Sequence, residues 1–131
     1  MNEIAKPVEM RHILAIQEND AKLPQFNFEL MHHFTKGAYL RQLFMPKGSR
    51  VVGKRHRHQH ALIVAGHIEI GMEGEPPFEL RGFHVIDSMP GVKRVIVALS
   101  DSYLCTVHIT EETDLAAIEA HVVMPDEGDA T

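Results

Sequence analysis

The hydrophobic period of this chain changes twice, and that constrains its fold more than any other feature. In residues 7–20, Met10, Ile13, Leu14 and Gln17 fall at i, i+3, i+4 and i+7. They form one stripe of a short helix that Pro7 can open. The segment Asn19-Asp20-Ala21-Lys22-Leu23-Pro24 stops it. From Phe26 the period becomes two, with short runs at 39–45, 50–56, 61–64, 67–71, 78–80, 84–86, 94–99 and 103–109. Between them stand Pro46-Lys47-Gly48, Ala65-Gly66, Gly74-Glu75-Pro76-Pro77 and Met89-Pro90-Gly91, all of them turn chemistry. Many short, regularly punctuated strands mean a sandwich or small barrel. After Ile109 the helical period returns. Thr110 can cap a helix with Glu111, Glu112 and Asp114 at its positive end and Leu115 and Ile118 on its apolar side. The expected organisation is a helix and linker over 1–23, a barrel with the start of a C-terminal helix over 24–119, and a polar tail over 120–131.

Charge and length narrow the partners. Against 13 Lys and Arg stand 18 Asp and Glu in 131 residues, a net charge of -5. There is no basic excess to neutralise phosphates, so nucleic acid is not an expected partner. The longest apolar run, Ala61-Leu62-Ile63-Val64-Ala65, is too short to span a bilayer. The first residues lack the apolar core of a signal peptide, so no membrane partner is expected. A single cysteine, Cys105, excludes an internal disulfide and fits a reducing, cytoplasmic compartment. No GxSxG, phosphate loop or CxxC is present.

Ten histidines stand out. In a continuous strand, His56, His58 and His60 point one way, and Arg55, Arg57 and Gln59 the other. Three imidazoles on one inner face suit a divalent transition metal such as Zn, Fe, Mn or Ni. The alternative is a polar, solvated strand end. His32 and His33 are adjacent and point to opposite sides, so they cannot serve one site.

On these residues the sequence resembles the cupin superfamily, whose first motif pairs a His-x-His with a downstream glutamate and glycine. Counted from Gly48, the two histidine positions fall on Lys54 and His56, His60 takes the glutamate position, and Gly66 follows one residue early. With His56-x-His58 as the pair, Leu62 or Ile63 stands where the glutamate belongs. Gly82 and Met89-Pro90-Gly91 resemble the second motif, with Arg94 in the place of its histidine and Ala98 in that of its asparagine. The runs His33–Arg41, Pro46–Gly48 with Val52–His56, and Val107–Thr113 are similar, more narrowly, to small cupin-like proteins of bacteriophages and prophages.

The resemblance implies an all-β fold, a cupin-type double-stranded β-helix (jelly-roll barrel) with a short helix at each end. It implies a metal site from His56, His58 and His60, and Arg94 facing the same cavity. There Arg94 either holds an anion or closes a rim salt bridge with Glu29, Glu79 or Asp87. Tyr39 and Arg41 share a strand face that can line the mouth, although Tyr39 also reads as a core residue. His108 lies on the last strand, expected to pair with that of Arg94. A two-residue turn sends it outward, and a loop one residue longer brings it opposite Arg94. The function implied is a metal-binding pocket for a small acidic molecule, with catalysis of unspecified type. The alternative is a non-catalytic structural or interaction module. A homodimer is expected in either case.

Overall fold

The computed structural model describes residues 7–21 and 28–124. The boundary expected between residues 23 and 24, and the tail from Pro125, lie outside the described residues. Two helices flank seven strands: α1 (Met10–Ala21), β1 (Glu29–Thr35), β2 (Ala38–Met45), β3 (Arg50–Val52), β4 (His60–Met72), β5 (Phe78–Ser88), β6 (Arg94–Ala98), β7 (Ser102–Ile109) and α2 (Leu115–Val122). Every strand pairing is antiparallel, in the order β1-β2-β7-β4-β6-β3, with β5 along β4.

The long strand β4 turns this one sheet into two layers. Its first part, Ala61 to Ala65, pairs with β7, and its second, Ile68 to Met72, pairs with β6. The crossing happens where Gly66 lies opposite Gly82 of β5. Both glycines have positive φ, 141° and 92°, which side chains rarely adopt. The expected turn at Ala65-Gly66 is therefore a bend inside a strand. The expected separate runs 78–80 and 84–86 are likewise one strand, β5. Glycine ends strands and bends them by the same freedom, so the pattern reads alike in both cases.

The expected pairing of β6 with β7 does not form. β6 pairs with β3 and β4, and β7 with β2 and β4. The connection at Leu99 to Asp101 carries the chain from one layer to the other, anchored where Leu99 N and Ser100 N donate to His67 O at 2.8 and 3.2 Å. Period-two alternation then packs Leu43, Met45, Leu62, Val64, Ile68 and Ile96 between the layers.

Helix α1 buries Ile13 completely, and the ion pair of Asp20 with Arg50 ties its end to β3. Helix α2 starts later than expected. Thr110 Oγ1 accepts from Glu112 N, while Asp114 is the N-cap, accepting from Ala117 N at 3.2 Å. Ile118 and Val122 then pack on Tyr39. Asp114→Ala is expected to cost about 1 kcal/mol, a melting temperature lower by a few degrees. An unchanged melt would show that the cap does not hold the helix.

Candidate metal and anion site

Between the layers, beneath α2, lies a cavity of about 300 Å³. Its floor is the apolar core: Leu43, Leu62, Ile96 and Leu104. Helix α2 forms its roof with Leu115, Ile118, Glu119 and Val122. The roof is strapped down by the segment before β4. Arg57 N donates to Val122 O at 2.7 Å, Met124 N to Arg55 O at 2.8 Å, and His56 bridges to Val123. At the rim Lys54 Nζ donates to Glu119 Oε1 at 2.5 Å, with both side chains more than half exposed. The Lys54 bond holds the Glu119 carboxyl below its usual range. Such an exposed pair contributes well under 1 kcal/mol.

Three imidazoles meet in the cavity wall. The ring centres of His56 and His60 are 4.2 Å apart, those of His56 and His108 5.0 Å, and those of His60 and His108 4.9 Å. His60 and His108 are buried. Burial, reinforced by the neighbouring imidazoles and by Arg94 and Arg41, pushes His56 down to about 3. Burial likewise brings His108 down to about 4 and lowers His60. All three are neutral at neutral pH.

His58 is not among them. The chain leaves strand geometry after Val52, makes only an isolated bridge at His56, bends through residues 57–58, and re-enters a strand only at His60. Strict alternation therefore fails over the very run it was applied to. His58 is exposed, with its ring centre 5.0 Å from that of His121 on α2. His108, whose facing the sequence left open, points inward because β7 pairs with β2, Tyr39 lying opposite it.

Arginines complete the wall. Arg94 is half-buried, and its Nη1 donates to Ser88 Oγ at 2.8 Å. It makes no ion pair with Glu29, Glu79 or Asp87; Glu79 instead meets His67 at 2.8 Å. Burial lowers the Arg94 pKa, yet the group stays cationic. Arg41 lies two residues beyond Tyr39 on the same face of β2, exposed at the mouth. Tyr39 is buried, shares a 2.7 Å hydrogen bond with His32 Nδ1, and stacks on His108. It serves core and cavity wall at once. His33 faces the other side, bonded to Gln42. The sequence reading missed His32, Lys54 and Glu119. Only the alternation of His32 with Leu30 in β1 pointed to the first, and only the register of α2 to the last.

The site fits a metal in ligand type and spacing. Three imidazole nitrogens at about 2.0–2.1 Å from one ion place their ring centres about 4.5–5 Å apart, close to the distances here. Yet among the described residues no three His, Cys, Asp or Glu side chains are placed so that they could hold a metal ion. The last side-chain torsion of histidine is soft, so turning the rings costs little. The charge balance suits an anion. Among the described residues, Arg41, Lys54 and Arg94 line the cavity with a single carboxylate, Glu119, already tied to Lys54.

No family model matches the chain, and no curated protein does. Solved structures do. A cupin superfamily protein of Desulfitobacterium hafniense aligns with a TM-score of 0.53 at 10% identity, over 67% of this chain and 82% of its own. A predicted oxalate decarboxylase of Thermotoga maritima aligns with a TM-score of 0.53 at 14% identity, over 66% and 84%. KdgF of a Halomonas species aligns with a TM-score of 0.52 at 17% identity, over 68% and 89%. Among the described residues no helix is long and apolar enough to cross a membrane. The bent β4–β5 hairpin, the two layers it joins and these structural likenesses give the chain a cupin-type fold, a double-stranded β-helix.

Proposed function

We propose that this cupin-type barrel binds a small anionic molecule, of the size and charge of a dicarboxylate, in the cavity under α2. His56, His60 and His108 would be the ligands of a divalent transition metal there. The observation that carries the reading is the meeting of three neutral imidazoles with two arginine side chains in one cavity. Neutral imidazole is the ligating form, and a half-buried guanidinium with no acidic partner among the described residues is a ready anchor for a carboxylate. When bound, a divalent metal supplies Lewis acidity toward a carboxylate oxygen. Arg94 orients the anion, Arg41 and Lys54 draw it to the mouth, and the apolar floor excludes water from its far side.

A second reading, a non-catalytic module of the kind the resemblance to phage proteins suggests, is favoured by the lack, among the described residues, of three side chains placed to hold a metal ion. Elemental mass spectrometry separates the two. After reconstitution with Zn²⁺, Mn²⁺, Fe²⁺ or Ni²⁺, about one ion per chain is expected in the wild type and close to none in His56→Ala. Calorimetric titration with malonate is expected to show at least about tenfold weaker binding in Arg94→Gln. Absence of metal from the reconstituted wild type rejects the metal site. Equal malonate affinity in Arg94→Gln rejects the anion anchor.

A further inference from the structure

His58 stays outside the cavity, yet it has a neighbour of its own kind. Its ring centre lies 5.0 Å from that of His121, with the ring planes inclined by 36°. Both side chains are exposed, and among the described residues neither ring nitrogen has a hydrogen-bond partner. The backbones that carry the two rings are tied to each other. Arg57 N donates to Val122 O at 2.7 Å, Met124 N to Arg55 O at 2.8 Å, and Arg57 Nε to Val123 O at 3.2 Å. Residues 57 and 58 form the bend before β4, whereas His121 stands in the last turn of α2. The rings are therefore neighbours only while the helix is docked.

We propose that His58 and His121 form a second, surface site for a divalent transition-metal ion, and that the ion staples the roof helix over the cavity. Spacing is the first reason. Two imidazole nitrogens at about 2.0–2.1 Å from one ion, meeting it near the tetrahedral angle, set their ring centres about 5 Å apart. That is the separation found here. Position is the second reason. The last turn of α2 is the negative end of the helix dipole, which favours a cation. Exposure is the third, since water can complete the coordination of an ion that two imidazoles hold. Such a pair ranks ions by intrinsic affinity, with Cu²⁺, Ni²⁺ and Zn²⁺ above Fe²⁺ and Mn²⁺. The staple follows from linkage. An undocked α2 offers the ion one imidazole, and a docked α2 offers two at a fixed separation. The bound ion shifts the helix toward the docked state by the ratio of those two affinities. Capture by two linked groups exceeds capture by one by roughly 100-fold or more, so the roof is held without any contact with the cavity ligands.

With two protein ligands in place of three, this site releases its ion on desalting, and it is read at equilibrium. Calorimetry of the full chain with Zn²⁺ alone, in a His108→Ala background that removes a cavity ligand, is expected to show about one ion per chain. His58→Ala and His121→Ala, both at exposed positions, are each expected to weaken that binding at least about tenfold, and the two together hardly further. Amide hydrogen exchange in α2 is expected to slow at least about tenfold at saturating Zn²⁺, and to stay unchanged in His121→Ala. If His108→Ala does not fold, the same variants are made in the wild-type chain, where they remove the weaker or sole equivalent. Absence of Zn²⁺ binding, an affinity that either substitution leaves unchanged, or small losses that simply add overturns the site. An ion that binds through both histidines but leaves exchange in α2 unaltered overturns the staple. Neither result bears on His56, His60 and His108, whose reading rests on the ion retained after desalting.

Discussion

Gly66→Ala is expected to abolish soluble folding or to lower the melting temperature by more than about 10 °C. A methyl group at Gly66 would lie 2.2 Å from Ser102 Oγ and 2.8 Å from Ser102 Cα. The hydroxyl could turn away, but the backbone of β7 cannot. Ser102 is also fully buried, with its Oγ donating to Ser100 O at 2.8 Å and accepting from His67 N at 3.1 Å. To the clash is added a φ of 141°, disfavoured for any side chain. Overpacking and backbone strain together cost about 3 kcal/mol or more. Gly82, its partner across the hairpin, is the control. Its φ is 92°, yet an added methyl group meets nothing within 4 Å, so Gly82→Ala is expected to cost only about 1–2 kcal/mol. Ser102→Gly in the Gly66→Ala background should restore part of the loss, because it removes the clash with the serine side chain and leaves only that with the β7 backbone. Equal melting temperatures for Gly66→Ala and Gly82→Ala would mean that close approach to β7 does not hold the two layers together.

That hairpin also shows why part of the fold was legible and part was not. The alternation in β2 and β7 follows from one-sided burial, so the inward set Tyr39, Arg41 and Leu43 could be read without a structure. The same is true of the stripe that buries Ile13. Gly66 and Gly82 were visible, but their pairing across strands was not, because register is a long-range property. The partner of β7 depended in the same way on a crossing at Leu99 to Asp101 that no local pattern records. The candidate site divides along the same line. His56 and His60 sit where their spacing could place them. His58 does not, since Arg57 and its neighbours bond to α2 instead of continuing a strand. His108 joins through the β2–β7 register, and Glu119 through the docking of a helix whose start was expected four residues too early.

The metal-free chain is expected to lose stability as the pH falls from about 7 to about 4.5, and most of the excess loss should trace to the histidine cluster. The folded values of His56 and His108, about 3 and about 4, lie below their ordinary value of 6.5. Between those values and 6.5 the unfolded chain binds more protons than the folded one. Stability therefore rises with pH across that window, is complete above it, and is lost as the pH falls through it. The cause is the surroundings of the cluster. His60 on β4, Arg94 on β6, Arg41 on β2 and Lys54 at the rim face the two rings, Glu119 on α2 is occupied by Lys54, and burial removes the water that would solvate an imidazolium. Discounted for the solvent that still reaches His56, the two shifts amount to about 2 kcal/mol between about pH 7 and about pH 4.5. Urea midpoints in EDTA measure this directly. His56→Leu/His108→Leu is expected to lose about 2 kcal/mol less than the wild type over that range, while carboxylates common to both cancel. Parallel pH profiles for the two proteins would mean that the imidazoles are solvated in the folded state, and the cavity would then be too open to hold them neutral for a metal.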